Sequence, residues 1–178
     1  MEVDRDEAPD EAPDGAPSGV DAFIEAVSLQ AGLVPDNAQG KVRFVLRIGE
    51  DYAFIRMRDV WRPRRFLGQM AGVPPIQFGT RGFDSAIVDD SNPARHYTAF
   101  VFVGFWLPGL LAILFLWAWE GLGFVRYRGL WSRQDIACGY VGIRHGRLVR
   151  RYGPHILPGL IAGDVAAPPS DETGLGDG

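Results

Sequence analysis

An uncharged apolar run of twenty-one residues, Ala99 to Trp119, constrains this chain more than any other feature of its sequence. As an α-helix it would be about 31 Å long, close to the roughly 30 Å hydrocarbon thickness of a bilayer. Aromatic residues near both ends are typical of the belts that anchor spanning helices. The run therefore predicts one transmembrane helix. The residues assigned to membrane anchoring are Tyr97, Trp106, Trp117, Trp119 and Trp131.

Changes in composition divide the chain into five segments. Residues 1–19 hold seven acids and one base, and residues 162–178 hold four acids and no base, so both are predicted to be disordered acidic tails. Residues 20–92 are predicted to form a small extramembrane α+β module that ends in a Gly/Pro-rich connector. Residues 93–125 are assigned to the transmembrane helix with its interfacial ends, and residues 126–161 to a basic C-terminal extramembrane module.

Hydrophobic periodicity gives the elements of the two modules. Apolar residues from Val20 predict a short helix that ends near Gly32. Between Lys41 and Arg58 the pattern alternates on both sides of a Gly-Glu-Asp turn, which is typical of a β-hairpin. Residues 140–151 predict a second hairpin. The fold class predicted is a membrane protein with one transmembrane α-helix, a helix plus hairpin before it and a short hairpin after it.

Small residues and a proline mark the predicted spanning helix. The helix is expected to begin at Pro93, which suits a first turn, and to bend near its middle at Pro108, which removes a backbone hydrogen bond. Small side chains in the same region would let another helix approach closely. The residues predicted to serve helix packing are Gly104, Pro108, Gly109 and Ala112.

The basic residues lie between the two tails. The whole chain has a formal charge of −4, but residues 20–161 carry a net charge of +6, and Lys41 is the only lysine. An arginine bias of this kind also follows from base composition, so nucleic-acid binding is not predicted. Within about 30 residues of the apolar run, more arginines follow it than precede it, which favours a cytoplasmic C-terminus in a bacterial inner membrane. The arginines predicted to bind anionic lipid headgroups or a partner are Arg62, Arg64, Arg65, Arg126, Arg128, Arg150 and Arg151.

Candidate chemical sites are few. His96 lies at the start of the predicted span, where an imidazole could ligate the magnesium of a chlorophyll or a haem iron, although an ordinary interfacial histidine is the simpler interpretation. A single cysteine, Cys138, excludes an intramolecular disulfide and an all-cysteine metal site. The sequence shows no nucleophile elbow and no phosphate-binding loop. No catalytic or metal-binding residue is predicted, and the chain is not predicted to be an enzyme.

These features predict a non-catalytic, single-pass accessory subunit that stabilises or helps to assemble a larger membrane complex, respiratory or photosynthetic. Its partners would be integral membrane subunits, and any chlorophyll, carotenoid or lipid that it contacts would be held by those subunits. One alternative is a stand-alone membrane-anchored module that binds anionic lipid or an acidic partner. A second alternative is an electron-transfer subunit that contacts a pigment or a haem.

Overall fold

The computed structural model describes residues 19–59, 62, 74–88, 92–126 and 132–168, and the side chains of 122–126 lie outside that description. The described residues form six α-helices and two short 3-10 turns, at Met57–Asp59 and Pro154–Ile156. The helices are α1 (Val20–Gly32), α2 (Ala38–Ala53), α3 (Pro93–Trp106), α4 (Gly109–Arg126), α5 (Arg133–Tyr152) and α6 (Leu157–Asp164).

The crossing of α3 and α5 is the most extensive contact between elements. Glycines of both helices lie at this crossing. A Cβ on Gly146 would overlap the carbonyl oxygen of Val101, and a Cβ on Gly104 would overlap that of Ile143. A Cβ on Gly142 would lie 2.8 Å from the carbonyl oxygen of Tyr97. The two backbones are therefore in direct contact, which any larger side chain at these positions would prevent.

Aromatic side chains fill the space between this crossing and the N-terminal helices. The ring of Phe23, on α1, lies 5.8 Å from that of Tyr52 and 5.9 Å from that of Tyr97, both edge to face. The rings of Phe78 and Phe83 lie 5.1 Å and 6.2 Å from it. Because aromatic side chains bury large apolar areas, this cluster joins α1, α2, α3 and the segment 74–88 into one core.

The helical direction changes abruptly between α3 and α4. Leu107 is extended, with ψ 145°, because the ring of Pro108 disfavours the helical conformation of the residue before it. The carbonyl of Phe105 at the end of α3 accepts a hydrogen bond of 3.2 Å from Arg150 of α5. The guanidinium of Arg147 lies beside Gly109, the first residue of α4. One arginine of α5 therefore bonds to the end of α3, and another lies beside the start of α4.

The predicted transmembrane helix is wrong. The apolar run Ala99–Trp119 is divided between α3 and α4, and among the described residues no helix is long and apolar enough to cross a membrane. The prediction of a single-pass protein, its keywords and its membrane localisation with a cytoplasmic C-terminus are corrected with it. Pro108, predicted to bend one helix, separates two.

The two predicted hairpins are also wrong, because both stretches are helical. In α2 the buried residues Phe44, Ile48 and Tyr52 recur at helical spacing, and the side chain of Asn37 accepts from Gly40 N at 2.9 Å to cap the helix. The glycine predicted to turn the hairpin, Gly49, lies inside α2, where a Cβ would be 2.8 Å from the ring of Phe102. Residues 140–151 belong to α5.

The predicted C-terminal tail begins too early. Residues 162–164 complete α6, and Val165 is fully buried. Ala166 forms an isolated antiparallel bridge with Phe83. Residues 1–18 and 169–178, the remainder of the predicted tails, lie outside the described residues. The helix predicted from Val20 to about Gly32 and the helix start predicted at Pro93 are confirmed.

Because α3 and α5 approach so closely, even a small substitution at their crossing should lower the free energy of unfolding. Gly146→Ala should lower the free energy of unfolding by about 2 kcal/mol, since the new methyl group meets backbone that cannot move independently. Gly159→Ala is the matched control, because nothing lies within 4 Å of its Cβ position in α6. That change should raise stability by roughly 0.5–1 kcal/mol. Equal effects of the two variants in urea unfolding would contradict the packing described here.

Candidate functional site

A chain of hydrogen bonds that begins in the core links α3, α5 and α6. The hydroxyl of Tyr97 lies 2.7 Å from Nδ1 of His145, whose Nε2 lies 3.0 Å from Oδ2 of Asp164. Arg144 donates to the same carboxylate oxygen at 2.5 Å. An ionised carboxylate only accepts, so Nε2 of His145 carries the hydrogen and Nδ1 accepts from the tyrosine. The neutral imidazole is satisfied at both nitrogens.

The environment fixes the protonation state of each member of this chain. Burial lowers the pKa of His145 from its ordinary value, an effect that the hydrogen bond and charge of Asp164 only partly oppose. Burial raises the pKa of Tyr97 well above its ordinary value. For Asp164, partial burial raises the pKa, but hydrogen bonds from His145 and Arg144 outweigh it and the pKa is lowered. At neutral pH the imidazole is neutral, the phenol protonated and the carboxylate ionised.

The order of carboxylate, imidazole and hydroxyl is that of a general-base relay. Such a relay performs catalysis only where the hydroxyl can reach a substrate. Here Tyr97 is 1% exposed, His145 is 0% exposed, and the tyrosine ring is enclosed by the aromatic core. The arrangement therefore fastens three helices together.

A second polar cluster surrounds His96, the residue before Tyr97. Its Nε2 lies 3.0 Å from the carbonyl oxygen of Asp135 and 4.0 Å from Oε1 of Glu120, and its Nδ1 lies 3.9 Å from Oδ1 of Asp135. The two carboxylates approach opposite ring nitrogens, so the three side chains do not converge on one point. Accordingly, the described part of the chain contains no group of His, Cys, Asp and Glu that could hold a metal ion.

This cluster joins residues of three helices. His96 is on α3, Glu120 on α4 and Asp135 in the first turn of α5, where the hydroxyl of Ser132 caps the helix by accepting from Asp135 N at 2.9 Å. The sequence singles out His96 but gives no reason to join it to Asp135. Its predicted role as a ligand of chlorophyll magnesium or haem iron stays a prediction, and its Nε2 faces a backbone carbonyl oxygen.

Over residues 109–121, whose side chains are described, helix α4 is buried along one narrow side. Ala112 and Leu116 are fully buried, and with Trp119 they pack against Phe100 of α3 and Ile143 of α5. The opposite side is apolar and exposed: Leu110 is 72% exposed and Leu114 is 56% exposed. This exposed side is named the α4 apolar surface, and its large residues are Leu110, Leu111, Leu114, Phe115 and Trp117.

Exposed arginines follow the outer side of α5, next to this surface. They recur at positions that share one helical face, and they are named the arginine row: Arg133, Arg144, Arg147 and Arg151. The two surfaces meet at two places. The indole nitrogen of Trp117 donates to the hydroxyl of Tyr140 at 3.0 Å, and a Cβ on Gly109 would lie 3.0 Å from a guanidinium nitrogen of Arg147.

The residues predicted to anchor the chain in a membrane have different environments. Tyr97 is in the core, and Trp119 packs on the inner side of α4. Trp106 and Trp117 are exposed, at the end of α3 and on α4. Trp131 lies outside the described residues. The span that suggested this role is wrong, whereas the anchoring role of these residues itself stays a prediction.

The residues predicted for helix packing lie at or near helix contacts. Gly104 faces the backbone of Ile143, and Ala112 is buried on the inner side of α4. Pro108 and Gly109 lie at the break between α3 and α4.

The arginines predicted for binding are scattered over the molecule. Arg62 is exposed after the 3-10 turn, and its N–H donates to the carbonyl of Asp59. Arg150 contacts the end of α3, whereas Arg151 lies 5.1 Å from the ring centroid of Tyr152. The remaining arginines, or their side chains, lie outside the description: Arg64, Arg65, Arg126 and Arg128.

Sequence reasoning missed the buried role of His145, which the hairpin interpretation placed in a turn. A helical interpretation would have found it. Cys138, Gly142, His145 and Val149 recur at spacings of three and four residues, and all of them are buried in α5. A polar residue on such a face requires a hydrogen-bond partner.

Comparisons with known proteins add no relative: no family model, no curated protein and no solved structure matches this chain.

The buried imidazole predicts a loss of stability on mild acidification. The pKa of His145 is lowered below its ordinary value of 6.5, so below about pH 6.5 the unfolded chain binds a proton that the folded protein does not. The contribution of the neutral His145 imidazole to the free energy of unfolding is complete above that pH. It declines as the pH falls toward the pKa of His145 in the folded protein. Protonation of His145 at Nδ1 would also turn this nitrogen into a donor that faces the donating hydroxyl of Tyr97, so their hydrogen bond would be lost in its present form.

Thermal unfolding of the wild type and of His145→Gln between pH 8 and pH 5 measures this effect. The melting temperature of the variant should be lower at pH 8 and should change less on acidification. His155→Gln removes an exposed histidine and is the control. If the His145 variant keeps the full pH dependence of the wild type, the neutral buried imidazole is contradicted.

Proposed function

We propose that this chain is a non-catalytic accessory subunit that binds a partner protein through the α4 apolar surface. The observation that carries the proposal is the exposure of large aliphatic and aromatic side chains over about two turns of a helix whose opposite side is packed. Exposed apolar groups that are contiguous commonly mark interaction sites, whereas isolated ones are ordinary. Leu29 and Leu33, which are also exposed, form a smaller pair on and after α1.

The energetics favour covering this surface. Removing apolar area from water contributes roughly 25 cal/mol per Å², and each of these side chains would contribute on the order of 1 kcal/mol on burial. Between Gly109 and Trp119 the helix has no charged residue that would oppose burial. A partner that covers this surface therefore gains free energy without desolvating a charge of α4.

The polar clusters support a structural role for the remainder of the molecule. The hydroxyl of Tyr97 and the imidazole of His145 are buried and bonded to each other, and Asp164 and Arg144 complete the connection to α6. This bracing holds α3 and α5 rigid beneath α4. A rigid support lowers the conformational entropy lost when a partner binds.

The finer parts of the hypothesis stay predictions. They are the identity of the host complex as respiratory or photosynthetic, partners that are integral membrane subunits, and contact with chlorophyll, carotenoid or lipid that those subunits hold. The alternative of an acidic partner concerns the same face of the molecule. None of these parts is needed for the proposal that α4 binds a protein.

Native mass spectrometry of the full-length chain, isolated gently from the cells in which it occurs, tests the proposal. The wild type should appear in a complex of fixed stoichiometry with a second protein. Leu110→Gln with Leu114→Gln should release the chain from this complex, since the amides would be desolvated on binding. Leu29→Gln with Leu33→Gln replaces equally exposed leucines elsewhere and should leave the complex intact.

Two results would contradict the proposal. One is a wild-type chain that is isolated without any second protein. The other is a complex that survives the paired substitution in α4 unchanged.

A further inference from the structure

We propose that the partner presents an acidic amphipathic helix, which lies across the α4 apolar surface and the arginine row together. This inference rests on the proposed function and adds the chemistry of the partner. A helix with an apolar stripe bordered by Asp or Glu would place its stripe on α4 and its carboxylates on α5.

The two surfaces are close enough to be covered by one element. The helices that carry them, α4 and α5, are in close contact. A Cβ on Gly139 of α5 would lie 2.5 Å from Leu116 on the inner side of α4. On the outer side, Trp117 and Tyr140 are exposed and joined by a hydrogen bond of 3.0 Å. Trp117 belongs to the α4 apolar surface, and Tyr140 shares its face of α5 with the arginine row. Aromatic anchors of this kind are enriched at the centres of protein interfaces.

The distribution of charge favours an acidic partner. The α4 apolar surface carries no charge, and Arg147 lies directly at its border beside Gly109. Arg133 and Arg151 extend the positive charge along α5. Arg144 already forms an ion pair with one carboxylate, that of Asp164, and its side chain remains 58% exposed. Guanidinium groups bind carboxylates in paired, directional hydrogen bonds, which favours acidic side chains at fixed positions.

The dimensions favour a helix as the docked element. Leu110, Leu114 and Trp117 are spaced by four and three residues, which produces a ridge of the kind that packs against another helix. The arginine row extends over nineteen residues of α5, from Arg133 to Arg151, or about 27 Å at the helical rise. A partner helix of about five turns matches this length. Recognition of an amphipathic helix by an apolar surface with charged borders is a recurrent mode of binding.

Synthetic helices test the inference on the full-length protein. The probe is a fluorescent peptide of about 20 residues, with leucines along one face and glutamates along both borders of that face. One matched peptide has glutamines at the borders and another has lysines. The glutamate peptide should bind most tightly in fluorescence anisotropy, and its affinity should decrease as salt is added. The lysine peptide should bind most weakly.

Substitutions in the protein identify the surface. Arg147→Gln with Arg151→Gln should weaken binding of the glutamate peptide about tenfold and leave that of the glutamine peptide almost unchanged. Arg43→Gln with Arg81→Gln removes two exposed arginines elsewhere and is the control. Leu110→Gln with Leu114→Gln should weaken all three peptides.

The outcomes separate this inference from the proposed function. Loss of the native complex with the α4 variant, together with equal binding of glutamate and glutamine peptides, overturns the acidic helix and leaves the proposed function standing. Persistence of that complex overturns the proposed function itself. Two further results overturn the inference by identifying another occupant: binding to vesicles that contain phosphatidylglycerol but to none of the peptides, and a wild-type dimer that the α4 variant dissociates.

Discussion

The direct contact between the backbones of α3 and α5 determines the remaining structure. Gly142 and Gly146 of α5 and Gly104 of α3 allow this contact, because a methyl group at any of them would meet backbone atoms. At this separation the side chains along α3 are placed in register with those of α5. Tyr97 then reaches His145, and His96 reaches Asp135. Both polar clusters are therefore consequences of small residues at the crossing.

The glycines bring α3 and α5 together, whereas the break at Leu107 and Pro108 directs the following helix away from the core. Helix α4 consequently packs through a narrow side containing Ala112 and Leu116, and leaves its leucines exposed. From α5, Arg150 donates to the end of α3, and Arg147, a member of the arginine row, lies beside the start of α4. One helix thus supports the bend and supplies half of the surface proposed for binding.

The sequence predicts some elements correctly because their signals are local. The helix from Val20 and the helix start at Pro93 depend on nearby residues alone. The hairpin predicted from Lys41 is wrong because four alternating apolar residues also fit a helix. Gly49 does not form a turn; its lack of a side chain leaves room for the ring of Phe102. The predicted span fails because length and hydropathy are insensitive to the conformation that Pro108 imposes on Leu107.

The candidate sites were less predictable than the helices. His145 and Asp164 are in contact because α6 packs back against α5, and no residue spacing in the sequence predicts that contact. His96 stands out in the sequence, but its neighbours Glu120 and Asp135 come from two later helices. Exposure of α4 could not be predicted either, since the same apolar residues would suit a core or a membrane. Tertiary packing decides between these environments.

Photo-crosslinking at Leu114 tests the central claim that the exposed side of α4 is covered by another protein. A photoreactive phenylalanine analogue placed there in the native cells should form a covalent adduct with one defined protein. The same analogue at Leu33, which is at least as exposed, should form no such adduct. Crosslinking of Leu114 only within its own chain, or to lipid alone, would contradict the account.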